Sequence, residues 1–135
     1  MSLLAWDAKY VLGIAEIDRQ HQKLFALFNE LYEAMQDGRG DQVAAKVLIK
    51  ALDYTVYHFA CEEKLLRQYG YTEEAVHRAE HGRLADQTKS LIGRIDTGQT
   101  ELSIATLKFL CDWLNEHILD SDREFAPFLI ARGAH

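Results

Sequence analysis

From Ile14 onward the apolar residues step by three and four, through Ile17, Leu24, Phe28, Leu31 and Met35, and the step between Ile17 and Leu24 is taken by a histidine, His21. Such spacing lines one stripe of an amphipathic α-helix. The same intrusion recurs downstream. Val47, Ala51 and Tyr54 lead into His58 and Glu62 before Leu65; His77 and His81 precede Leu84, Thr88, Leu91 and Ile95; Leu107, Leu110 and Leu114 lead into His117. Four amphipathic helices follow from this pattern, each carrying a metal-competent side chain on the stripe that must face the core. An all-α chain of four such helices joined by short turns packs as an up-down-up-down four-helix bundle.

Two residues four apart on a helix share a face, one turn above the other. His58 and Glu62 are so related, and so are His77 and His81. A neutral imidazole suits iron, zinc, copper or nickel, and a carboxylate can bridge two cations while offsetting part of their charge. Two such pairs facing each other make half of a two-metal site.

Taken in order, residues 1–15 read as an N-terminal arm in which Trp6, Tyr10, Val11, Leu12 and Ile14 show no clean periodicity. An arm this apolar should pack back on the body. The first helix is expected from about Ile17 to Gln36, with Gly38 suited to the left-handed position after it and Asp41 to the N-cap of the next. The second runs from about Gln42 to Tyr69 and ends at Gly70. Thr72 is expected to cap the third, whose first turn places Glu73 and Glu74 beside the positive end of the helix dipole. That helix stops near Thr97 and Gly98, and the fourth starts near Ser103. The whole of 1–135 reads as one domain, with the bundle over 16–125 and a C-terminal tail over 126–135.

Register can be checked from chain length alone, because each helical residue adds about 1.5 Å. His21 before the first turn and His58 after it both lie about 25 Å from that end, and His81 and His117 stand at a similar distance from the third turn. Across the middle turn, His58 and Glu62 lie about as far from it as His77 and His81 do. The levels coincide on all four helices. A seam histidine alone is ordinarily a core residue hydrogen-bonded to a neighbour, but five of the six histidines meet at this level. Burying that many imidazoles without partners would cost about 1–3 kcal/mol each, against a net stability of about 5–15 kcal/mol. Metal satisfies them together. His135 has no periodic context and reads as solvated.

Competing roles find little support. The formal charge of −6 and the absence of a basic stripe argue against a nucleic-acid partner. Asp7 and Lys9 interrupt the apolar N-terminus, so it does not read as a signal peptide, and no apolar run approaches the ~18 residues of a membrane span. A soluble cytoplasmic protein, expected to be a monomer, is the default. Cys61 and Cys111 are far apart with no Cys-x-x-Cys spacing, so both read as small buried hydrophobes.

One spacing departs from a regular helix. His117 and Asp122 are five apart, which turns an α-helix about 140° past the first side chain. For both to meet one metal pair, the chain near Leu119 to Ser121 must widen as a π-type bulge does, or leave the helix.

The order His21, His58-x-x-x-Glu62, His77-x-x-x-His81, His117-x-x-x-x-Asp122, with a tryptophan-bearing arm at Trp6, resembles the hemerythrins, and among them the bacterial single-domain members. The resemblance covers nearly the whole chain and every motif position is filled. It implies reversible O2 binding at two non-haem iron ions, cycling between Fe2+ and Fe3+, inside the bundle. By motif position His77, His81 and His117 would complete one iron and His21 and His58 would bind the other, with Glu62, Asp122 and a solvent-derived oxo or hydroxo group bridging them. The two-histidine iron is the one that would take O2. Similar positions to Leu24, Phe59, Trp113 and Ile118 line the oxygen pocket in the family, where apolar walls keep the centre from being oxidised; each also serves as ordinary core packing.

The chemistry of the residues agrees. Two ferrous ions against two carboxylates and a hydroxide leave about one net positive charge, tolerable in a low-dielectric core. Oxygenase-type centres use a Glu-x-x-His from each of two helices, whereas here the one such spacing, Glu74 to His77, is explained by a first-turn acid. Fewer anionic ligands favour binding and release of O2 over its cleavage, so the expectation is an oxygen carrier or store rather than an enzyme, delivering to an oxygen-consuming enzyme. Oxygen or redox sensing, and a di-iron activity consuming peroxide or nitric oxide, are the alternatives.

Overall fold

The computed structural model describes residues 4–37, 41–98 and 103–135. A 3-10 turn, Ala8–Tyr10, precedes helix α1, Ala15–Gln36; α2 spans Asp41–Gln68, α3 Glu74–Asp96 and α4 Ile104–Glu116. A π-helical segment, His117–Asp122, then leads without a break into α5, Arg123–Ala131. There is no β-strand among the described residues, and none of their helices is long and apolar enough to cross a membrane. Helices α1 and α2, and α2 and α3, pack as sequential neighbours, and α4 returns against α1 to close the four-helix bundle.

Local chemistry sets the helix ends. Ser103 opens α4 as its N-cap, the hydroxyl oxygen accepting from the Thr106 N–H at 3.1 Å. Gly70 closes α2 at φ +71°, where a side chain would be strained, and the Tyr71 N–H reaches back to the Leu66 carbonyl at 2.9 Å. Thr72 does not cap α3: the N-cap is Glu73, without a side-chain hydrogen bond. Gly38 and the Asp41 side chain, expected to end α1 and cap α2, lie outside the described residues.

The arm packs back as its apolar content requires. Trp6, Tyr10 and Phe25 of α1 form an aromatic triplet with ring centroids 4.8 to 5.5 Å apart. The Asn29 side-chain amide clasps the Leu4 backbone, accepting from its N–H at 2.8 Å and donating to its carbonyl at 2.7 Å. Tyr10 donates its hydroxyl proton to Asn115 of α4. The Asp18 carboxylate accepts from the Leu12 and Gly13 N–H groups at 2.8 and 3.1 Å.

Along α1, α2 and the last rod the apolar stripe passes through two separate clusters, while α3 contributes to the first alone. One holds Leu24, Phe28, Leu31, Leu48, Phe59, Leu84, Leu107, Leu114 and Ile118; the other holds Ile14, Ile17, Leu66, Phe125, Ala126 and Leu129. His21 falls between Ile17 and Leu24, His58 and Glu62 between Ala51 and Leu66, and Asp122 between Ile118 and Phe125. The polar cluster is therefore a layer sandwiched between two apolar ones.

The π segment rephases the last rod. A regular continuation of the stripe through Leu110, Leu114 and His117 would bury positions 121, 124 and 128. Buried instead are Asp122, Phe125 and Leu129, each one residue later. The stretch from Ala126, expected as a tail, accordingly continues in helix to Ala131, with Pro127 inside α5 and Ala126, Leu129 and Ala134 buried. The apolar spacing simply continues once the extra residue is counted.

Candidate metal centre

Seven side chains that the sequence pattern singled out converge in the polar layer. His21 comes from α1, His58 and Glu62 from α2, His77 and His81 from α3, and His117 and Asp122 from the two ends of the π segment. All seven are buried, and Glu62, Asp122 and His21 are fully so. The two carboxylates divide their oxygens between two groups of histidines. Glu62 Oε1 lies 2.6 Å from His77 Nε2 and 3.2 Å from His81 Nε2, while Asp122 Oδ1 lies 3.0 Å from His77 Nε2 and 3.1 Å from His117 Nε2. Glu62 Oε2 lies 3.1 Å from His58 Nε2, and Asp122 Oδ2 lies 3.1 Å from His21 Nε2. Two donor sets result, one of Glu62, Asp122 and three histidines, the other of the same carboxylates and two histidines, and each could hold a metal ion.

The π segment is what admits Asp122. Five residues of α-helix would aim it away from His117, but the wider turn brings Asp122 Oδ1 within 3.1 Å of His117 Nε2. The bulge expected from the spacing is present over the residues where it was needed.

Charge in this layer is tightly opposed. Burial works to lower the proton affinity of His21 and His77, but Asp122 and Glu62 outweigh it, pushing His21 up to about 9 and His77 up to about 10. Burial likewise works to raise both carboxylates, yet the facing imidazoles hold Glu62 and Asp122 well below the usual carboxylate range. Even so, His21 Nε2, Glu62 Oε2 and both Asp122 oxygens make no hydrogen bond. Buried polar atoms left in that state are costly, and His81 Nε2 and His117 Nε2 point at each other across 3.1 Å. Buried oxygens left unpaired beside ring nitrogens that face one another are the surroundings a cation would satisfy.

The outer ring nitrogens are held by residues that the periodic pattern did not reveal. His58 Nδ1 lies 2.6 Å from Gln20 Oε1, His81 Nδ1 lies 3.4 Å from Glu63 Oε2, and His117 Nδ1 lies 3.3 Å from Glu80 Oε2. Ser121 donates to Glu80 at 2.9 Å. Such partners fix the tautomer that leaves Nε2 free for metal. Adjacency was the available signal, since Gln20 precedes His21, Glu63 follows Glu62 and Glu80 precedes His81.

Of the four residues expected around an oxygen pocket, Leu24 and Ile118 are buried in the apolar cluster that adjoins the histidine layer. Phe59 stacks on His81 with centroids 3.8 Å apart and planes 2° apart, and also lies 5.8 Å from the His58 ring. Trp113 stacks on His117 at 4.7 Å. These two aromatics thus lean on the three-histidine set, with Phe59 alone reaching both. Cys111 is buried, and burial pushes its thiol up to about 12, as suits an inert core residue. Cys61 is only half-buried.

The profile of the hemerythrin HHE cation binding domain matches residues 12–129. The chain belongs to the hemerythrin family. It is 32% identical to a bacteriohemerythrin of Methylococcus capsulatus over 97% of this chain and 100% of that one. It is 31% identical to a bacteriohemerythrin of Clostridium acetobutylicum over 91% and 98%, and 29% identical to a hemerythrin-like protein of Naegleria gruberi over 92% of both. A wild-type hemerythrin crystal structure superposes with a TM-score of 0.89 at 31% identity, covering 95% of this chain and 98% of that one. A hemerythrin domain implies non-haem iron, and this hemerythrin's residues fit it: nitrogen and carboxylate donors of intermediate hardness, with unsatisfied buried atoms aimed inward.

Proposed function

We propose that this hemerythrin binds O2 reversibly at a non-haem di-iron centre, as a carrier or store that supplies oxygen-consuming enzymes. The observation that supports this reading best is the division of the carboxylates. Glu62 and Asp122 each turn one oxygen to His77, His81 and His117 and the other to His21 and His58, so the second donor set has one protein ligand fewer than the first. A centre built this way would hold two ions, the second with one protein ligand fewer than the first.

Iron, when bound, supplies the reversible electron exchange with O2. The chain's own residues do the rest. The five histidines would hold the ions through Nε2, and Glu62 and Asp122, which belong to both donor sets, would offset their charge. Gln20, Glu63 and Glu80 keep a proton on the outer nitrogens of His58, His81 and His117. Leu24, Phe59 and Ile118 keep water from the layer. Glu63 and Glu80, the carboxylates beside the ligands, face outer ring nitrogens rather than the space between the donor sets, which suits binding better than turnover. The reading takes the chain as a cytoplasmic monomer.

The test is anaerobic reduction of the iron-loaded protein followed by air. A near-ultraviolet to visible charge-transfer band that appears in air and vanishes under vacuum is the expected result. Two irons per chain with no such band, or a band that vacuum does not remove, would refute reversible O2 binding.

A further inference from the structure

The outer nitrogens of the histidines are not backed alike. His81 and His117 present Nδ1 to carboxylates, Glu63 and Glu80. His58 presents Nδ1 to an amide, Gln20, which is 2% exposed, and His21 Nδ1 has no hydrogen bond at all. The orientation of Gln20 is dictated by a third residue. Its Nε2 donates to Glu16 Oε1 at 2.9 Å, and Glu16 is held in turn by Arg19. A carboxylate can only accept, so Gln20 must turn its carbonyl oxygen to His58, and His58 must carry its proton on Nδ1. The Nε2 lone pair is left facing Glu62.

We propose that Gln20 is a positioning residue that makes the two-histidine set the weaker-donor half of the centre. The inference rests on the di-iron reading of the site. A carboxylate draws the Nδ1 proton away from an imidazole, enriches the ring in electron density and strengthens its bond to a ferric ion; a neutral amide fixes the same tautomer without that enrichment. The set with fewer protein ligands is therefore also the set that stabilises the oxidised ion less, and the ferrous state is favoured where a ligand must be released. Gln20 forms part of the wall of a surface cleft of about 220 Å³, which Glu16, Cys61 and Tyr69 also line, so the amide can be altered without rebuilding the apolar core.

Two measurements test the proposal. With zinc as a diamagnetic probe, hydrogen exchange at the His58 Nδ1–H is expected to be at least tenfold faster in Gln20→Ala than in the natural protein, while His81 and His117 are unchanged; equal rates overturn it. The second uses the double variant E16Q/Q20E, which exchanges amide and carboxylate while keeping the chain of hydrogen bonds. Its iron-loaded form is expected to favour the ferric state about tenfold more, a midpoint about 59 mV lower per electron. Two irons bound with an unshifted midpoint overturn the role of Gln20 and leave O2 binding untouched. Failure of the natural protein to take up iron strikes the di-iron reading instead. If the double variant does not load, the exchange measurement decides.

Discussion

Removing His77 takes away a group that serves the centre with and without metal. Its Nε2 stands 2.6 Å from Glu62 and 3.0 Å from Asp122, and with its proton affinity pushed up to about 10 it is an imidazolium at neutral pH in the metal-free protein. There it neutralises carboxylates that have no exposure to water. Breaking a buried pair by deleting one partner costs about 3–5 kcal/mol. At about 3–5 °C per kcal/mol for a domain of this size, Tm of metal-free His77→Ala should fall by about 9–25 °C. The second loss is metal. A site filled at a hundred times its Kd stabilises the fold by about 2.7 kcal/mol, and losing a ligand should erase that. The assay is anaerobic thermal unfolding of both proteins with and without ferrous iron, alongside iron content per chain. His135→Ala is the control, since that exposed ring lies outside the cluster and hydrogen-bonds the Gly133 carbonyl at 2.9 Å. Two irons per chain in His77→Ala, with the natural protein's iron-induced rise in Tm, would refute the reasoning.

Other expectations follow from the same geometry. His21 and His77 hold protons more tightly folded, near 9 and 10, than unfolded, near 6.5. Their stabilisation of the metal-free protein is whole below about pH 6.5 and is lost as pH rises through 9 to 10. Glu62 and Asp122 are depressed, so their stabilisation is present above about pH 4 and is lost as pH falls through their folded values. Denaturant unfolding should therefore give a maximum near pH 5 to 6.5, and iron uptake, which displaces the imidazole protons, should tighten from pH 6 to 9. Phe59→Ala, removing the ring stacked on His81, should cost about 3–5 kcal/mol and hasten oxidation of the reduced centre, read from Tm and from the decay of the ferrous state in air. Ser103→Ala should cost about 1 kcal/mol through the lost cap of α4 while leaving two irons per chain.

Legibility in the sequence followed periodicity. His21, His58, Glu62, His77, His81 and His117 interrupt apolar stripes at three- and four-residue steps, and a polar residue on a core stripe is visible without coordinates. Asp122 was not legible from periodicity, since five residues from His117 aim it away in a regular helix; only the resemblance to the hemerythrins pointed to it, and the π segment supplies the bulge that the pairing requires. The same bulge hid the end of the bundle. Past it Leu129 is out of phase with a regular repeat, and the stretch from Ala126, expected as a tail, continues in α5. Gln20, Glu63 and Glu80 were missed because they flank the stripe, where a polar residue reads as solvated surface. Their adjacency to His21, Glu62 and His81 was the signal in the sequence, and their distances to His58, His81 and His117 set them apart in the fold. Thr72 failed as a cap because the chain leaves Gly70 through a turn that starts α3 one residue later, with Glu73 at the boundary.

The arm also says something about the order in which the molecule can be completed. Leu4 is clasped by a residue 25 positions on, and Tyr10 by one 105 positions on. The arm, made before the four rods, thus finds its second anchor only once α4 is in hand. It works as a buckle fastened last, and unfastening it frees α1 and α4 from a tie that no turn between helices provides.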